Sequence, residues 1–158
     1  MTRPNFFSML LVLTVGLAQQ GFESNRTQQF PIQELNGIEK MLIGQAKQSG
    51  FAFNQLLNVP THSLFMVHRS GATPPEEHSD VTDIWIIKSG SGTVQIGGEM
   101  VDPRKVDASN VLGTSIRGAQ TFRANAGDYF NIPPGVPHQM LLDPGKSITY
   151  LAVKVREH

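Results

Sequence analysis

Residues 74–90, PPEEHSDVTDIWIIKSG, crowd Glu76, Glu77, His78, Asp80 and Asp83 together and then turn abruptly into Ile84, Trp85, Ile86 and Ile87. Side chains two apart on a strand share a face, so Glu76 and His78 present a carboxylate and an imidazole side by side. Asp83 has the parity of Trp85 and Ile87, which makes it the polar rim of an apolar pocket wherever that parity faces inward. A second cluster, GDYFNIPPGVPHQM at residues 127–140, reads as a tight turn, a strand from Tyr129 to Ile132, and a proline-stiffened reversal that delivers His138 at the mouth of the next strand. Proline fixes the backbone before any ligand arrives, so a side chain held this way costs little to organise. Imidazoles and carboxylates brought together are the groups of proton transfer. Glu76 and Asp83 across a cleft would also make the acid pair of a retaining glycosidase, a reading with no other support in the chain. Ser91 lies in a β-turn sequence, SGSGT, without the strand-to-helix elbow of a reactive serine. GSGTVQIGG lacks the spacing and the helix of a phosphate-binding loop.

The elements that must position these groups are short strands. Apolar runs at Ser63 to His68, Asp83 to Lys88, Thr93 to Ile96, Gly127 to Ile132, Gln139 to Leu142 and Thr149 to Val155 are divided by Gly, Pro, Asn and Asp, the pattern of an all-β sandwich or barrel. Ser89-Gly90-Ser91-Gly92 reads as a turn between two of them. Before them, Ile32, Leu35, Ile38 and Leu42 recur at helical spacing and predict a short helix over 33–48, stopped by Gly50. Trp85, Phe130, Met140 and Leu142 are expected to line the barrel, whereas Tyr129 and Gln139 carry the opposite parity and point away.

The 158 residues suffice for one domain with a hydrophobic core. Thirteen basic and thirteen acidic residues balance, leaving no basic footprint for nucleic acid. The absence of cysteine removes thiolate nucleophiles, thiolate metal sites and disulfides. Residues 1–18 have the layout of a secretory signal peptide: Arg3, an apolar run from Phe6 to Leu17, and Gly16 and Ala18 at −3 and −1 of a cut before Gln19. Residues 19–31 form a polar leader and 32–158 a single domain, so the expected location is periplasmic or secreted, with no membrane contact after cleavage.

The two clusters resemble the motifs of the cupins, small jelly-roll barrels. The first cupin motif, G-x5-H-x-H-x3,4-E-x6-G, is matched at His78, at Asp83 in place of the glutamate, and at Gly90; Glu76 stands where the first histidine is expected. The second, G-x5-P-x-G-x2-H-x3-N, is matched by Gly127, Pro133, Gly135 and His138, with Leu142 in place of the asparagine. The resemblance implies an all-β cupin jelly-roll barrel with a short N-terminal helix, its core motifs within 74–142. It also implies a divalent metal held by Glu76, His78, Asp83 and His138; Asp80 is the alternative extra carboxylate, because positions 76, 78 and 80 share one face of an unbroken strand. Two imidazoles and two carboxylates are harder than a three-histidine set and favour Mn, Fe(II) or Zn. The implied function is a metal-dependent enzyme, an oxygenase or an isomerase or lyase, acting on a small oxygenated substrate, with Glu76 or Asp83 as proton carrier. The alternative is a non-catalytic small-molecule or sugar-binding module. A homodimer is expected as well, because cupins commonly pair and Phe51, Phe53, Leu56 and Leu57 offer apolar surface.

Overall fold

The structure, a computed structural model, describes residues 28–157; the signal-peptide reading and most of the polar leader lie outside them. The helical spacing found from Ile32 onward becomes α1, Ile32–Ser49. It ends as expected at Gly50, whose left-handed backbone lets its N–H donate to the Ala46 carbonyl. Twelve strands follow among the described residues: β1 Phe51–Asn58, β2 His62–Arg69, β3 Glu76–His78, β4 Val81–Ile96, β5 Glu99–Val101, β6 Arg104–Lys105, β7 Asn110–Leu112, β8 Ser115–Arg117, β9 Gln120–Asn125, β10 Tyr129–Ile132, β11 His138–Leu141 and β12 Ile148–Arg156. All their pairings are antiparallel. The main sheet runs β1-β2-β12-β4-β11-β3-β7-β6, with β9 and β10 also on β4, and β5 pairs with β8 alone.

Strand alternation sorts the side chains into two clusters. Outward from β1 and β2, Ala52, Leu56 and Met66 pack under Leu42 and Ala46 of α1. The helix is tied down further by Glu39, which accepts from Lys88 Nζ and Ser89 Oγ. Inward, Val67, Trp85, Ile87, Val94, Met140 and Tyr150 form the barrel core, and Phe130 and Leu142 pack against it as expected. Tyr129 points out to solvent.

The turn expected at Ser89-Gly90-Ser91-Gly92 is instead the middle of one sixteen-residue strand. The first half of β4 pairs with β10 and β12 and the second half with β9 and β11, so the strand changes partners at this bend. Glycine permits the bend: Gly90 has φ +78°, and a Cβ there would lie 2.0 Å from the Ser147 carbonyl oxygen. Gly97 has nearly the same φ, +77°, with nothing within 4 Å. Gly90→Ala is therefore expected to lose more stability than Gly97→Ala, which carries only backbone strain of about 1–3 kcal/mol. Urea unfolding of the two variants measures the difference, and equal losses would contradict the close approach.

Candidate metal centre

Register brings the predicted residues together. In the pairing of β3 with β11, Glu76 lies opposite His138, and in that of β3 with β7, His78 lies opposite Asn110. The proline loop before β11 is pinned by the Gly135 N–H, which donates to the His78 carbonyl at 2.7 Å. Ligand atoms of Glu76, His78 and His138 all lie within 4.8 Å of one another. Asp83 comes in from β4 with the parity of Trp85: its Oδ2 is 3.7 Å from His78 Nε2 and 3.8 Å from His138 Nε2. Asp80 is exposed beyond the end of β3 and outside this group. His68 is buried elsewhere, 2.8 Å from Thr149 Oγ1.

Both imidazoles are held with one nitrogen turned inward. Asp107 accepts the Asn110 side-chain amide on both oxygens, at 2.8 and 2.7 Å. Those bonds, with backbone N–H groups, hold its carboxyl below the ordinary range. An ionised carboxylate only accepts, so the Asn110 amide is oriented with Oδ1 toward His78 Nδ1, 2.5 Å away. His78 then carries its proton on Nδ1 and its lone pair on Nε2. His138 repeats the arrangement: Nδ1–H donates to the Val136 carbonyl at 2.9 Å. Its Nε2 is buried with no hydrogen-bond partner, as is Asp83 Oδ1. Unpaired buried polar atoms are uncommon, and an ion is one of the few groups that accounts for them.

Three residues at the site carried no motif. Lys154 donates to His78 Nε2 at 2.7 Å and to Asp83 Oδ2 at 2.8 Å. The Arg69 guanidinium, buried under the Phe51 ring at 4.9 Å, donates to Tyr150 Oη at 2.8 Å and to Glu76 Oε1 at 3.3 Å. Tyr150 is pushed up to about 12 by its burial, against the pull of Arg69. A signal for these was present: Arg69 shares parity with Phe65 and Val67, and Lys154 with Tyr150 and Ala152, each a cation on an apolar strand face.

Burial alone would raise Glu76, but the charges at His138, Arg69, Lys154 and His78 outweigh it and hold the carboxyl below 4.5. Burial lowers His138 beneath 6.5, although Glu76 opposes the shift. The unfolded chain thus takes up each proton at a higher pH than the folded chain does. Stability from His138 is present above pH 6.5 and lost as pH falls through its folded value; stability from Glu76 is present above pH 4.5 and lost below. Urea midpoints should therefore fall on acidification below pH 6.5, with the drop reduced in His138→Gln. Midpoints that rise between pH 6.5 and 4.5 would contradict the buried, neutral imidazole.

Beside the centre is a cavity of about 210 Å³. Phe51, Phe53, Phe65, Trp85 and Tyr150 give it an aromatic lining, and Arg69, Glu76, Asp83 and Lys154 supply its polar groups.

No family model matches the chain, and no curated protein sequence does. Solved structures do. The cupin domain of Schizosaccharomyces pombe Cnp3 is 14% identical over 68% of this chain and 65% of its own, with a TM-score of 0.51. The chain has the cupin fold. A second cupin-fold neighbour is the DMSP lyase DddQ from Ruegeria pomeroyi, 15% identical over 70% of this chain and 49% of its own, TM-score 0.51. A third is a proposed mannose-6-phosphate isomerase from Ralstonia eutropha, 18% identical over 68% and 85%, TM-score 0.50. The match thus spans less than two thirds of the length of Cnp3's domain and of DddQ. Within the cupin barrel, Glu76, His78 and His138 form a group that could bind a metal ion. Among the described residues no helix is long and apolar enough to cross a membrane.

Proposed function

We propose that this cupin-fold chain binds one divalent transition metal, Mn, Fe(II) or Zn, through Glu76, His78 and His138 with Asp83 in reach, and acts as a metal-dependent enzyme on a small oxygenated substrate. The observation that carries the reading is the buried, partnerless His138 Nε2, beside a second imidazole whose Nε2 lone pair is turned toward the same carboxylates. Leaving such an atom unpaired costs about 1–3 kcal/mol, which a ligated ion would offset. Two neutral imidazoles and hard carboxylate oxygens suit these metals.

A bound divalent ion would supply Lewis acidity toward a substrate oxygen. The chain's own residues do the rest. Arg69 fixes one oxygen of Glu76 and leaves the other to face His78. Asp83, one of the residues lining the cavity, would take or return a substrate proton. Trp85, which is buried, and the phenylalanines give the centre an apolar wall on which a substrate's carbon skeleton would rest. A second reading, a non-catalytic binding module, is supported by the pairs Arg69–Glu76 and Lys154–Asp83, which neutralise both acids within the chain.

Metal analysis separates the readings: the enzyme should hold about one ion per chain, and turnover of hydroxy- and keto-acid substrates should vanish on chelation. Silence across such a panel, with ligand-dependent thermal shifts, would favour the module. Asn110→Leu, which frees the His78 tautomer, is expected to weaken metal affinity about 10–100-fold with the fold intact. Unchanged affinity in a chelator competition would contradict the assigned tautomer. Export and dimerisation belong to the same proposal. A mature N-terminus at Gln19 would support the first, and sedimentation at low micromolar concentration the second. For the dimer, Leu56 is already covered by α1, and Phe53 is the exposed aromatic of the expected surface.

A further inference from the structure

We infer that the cavity takes a single-ring organic carboxylate, with its ring among Phe51, Phe53 and Phe65 and its acid received by Lys154, which the metal displaces from His78. The inference rests on the metal reading above and deepens it. His78 Nε2 has one lone pair, and Lys154 donates to it at 2.7 Å. A metal ion takes that same lone pair, so the two cannot hold it together. Lys154 rises from β12 on the parity of Tyr150 and Ala152, and all three line the cavity, so the displaced ammonium has the cavity in front of it.

Charge points to the ligand's sign. Glu76 and Asp83 carry two negative charges, paired with Arg69 and Lys154 at 3.3 and 2.8 Å. With both imidazoles neutral, the set is balanced before a divalent ion enters and doubly positive afterwards. An uncompensated charge beside the buried His138 and Asp83 is costly, and an anionic ligand answers it at Arg69 and Lys154. The aromatic lining sets the ligand's shape. Phe53 lies 5.8 Å from Phe51 and 6.1 Å from Phe65, ring centre to ring centre, the latter edge to face. These rings give a flat apolar molecule stacking surface. About 210 Å³ falls short of the roughly 300–1,000 Å³ that drug-sized ligands occupy, so one ring fits.

Titration calorimetry on metal-counted protein tests this with phenylacetate and benzoate, their neutral amides, and acetate. The ring acids are expected to bind about tenfold or more tightly than their amides or acetate. Lys154→Met, which leaves the metal-loaded set with one positive charge instead of two, should cut the preference for the acid severalfold while binding the metal at least as tightly as the parent, since its competitor is gone. Lys154→Arg should keep the preference for the acid. Acid and amide binding metal-loaded protein equally well, or a preference that is undiminished in Lys154→Met, would overturn the inference and leave the metal centre standing. Protein that holds no metal would overturn the centre itself, and the charge argument with it.

Discussion

Replacing His138 by alanine is expected to abolish metal binding while the barrel stays folded. Its imidazole is 1% exposed, its Nδ1 is committed to Val136, and its Nε2 has no partner among the described residues. Losing an outer-shell partner typically costs about 10–100-fold in metal affinity, and losing a ligand outright should exceed that. His62 is the control: it contacts Thr61 and lies outside the cluster, so His62→Ala should keep the full metal content. Far-ultraviolet circular dichroism and urea unfolding of His138→Ala would show that the loss is local. His138→Ala protein that retains the parent's ion content would remove the reason for placing a metal in this barrel.

The second large effect is expected at Arg69. It joins three structural facts at once: the guanidinium under Phe51, the hydrogen bond to Tyr150, and the pair with Glu76. Burial by itself would disfavour the charge, yet Tyr150, Glu76 and Asp83 together raise the Arg69 pKa above its ordinary value. Arg69→Met leaves a buried phenol and a carboxylate without their donor, and breaking a buried pair on one side costs about 3–5 kcal/mol. Urea unfolding should register a loss of that order. The double variant Arg69→Met/Glu76→Gln should be less destabilised than the single one, because the unpaired charge is gone. A double variant whose loss is the sum of the two singles would mean that the residues are not coupled.

The six apolar runs fall on β2, β4, β10, β11 and β12 and were legible, with the motif residues, because β-structure writes itself at period two, whereas β1, β9 and the short strands carried no such run. Asp83, Trp85 and Ile87 alternate with less buried neighbours along β4, and the structure buries all three. Gly50 announced the end of α1, and the proline loop announced the delivery of His138. Ser89 to Gly92 misled because glycine and serine mark turns and bends alike, and only the contact with Ser147 shows that here they bend a continuous strand. Arg69 and Lys154 went unread for a related reason. A cation on an apolar strand face signals a buried partner without naming it, and the partners lie 7 residues away for Arg69 and Glu76 but 71 for Lys154 and Asp83. Asn110 and Asp107 gave no pattern, since their role exists only through the pairing of β7 with β3.

The centre is tested most directly by X-ray absorption at the metal edge, on protein isolated with its ion, for the parent and His138→Ala. Two imidazole ligands with oxygen donors are expected for the parent, and a variant that has lost the ion or one of its imidazoles. A parent spectrum without imidazole scattering would contradict a metal held by His78 and His138.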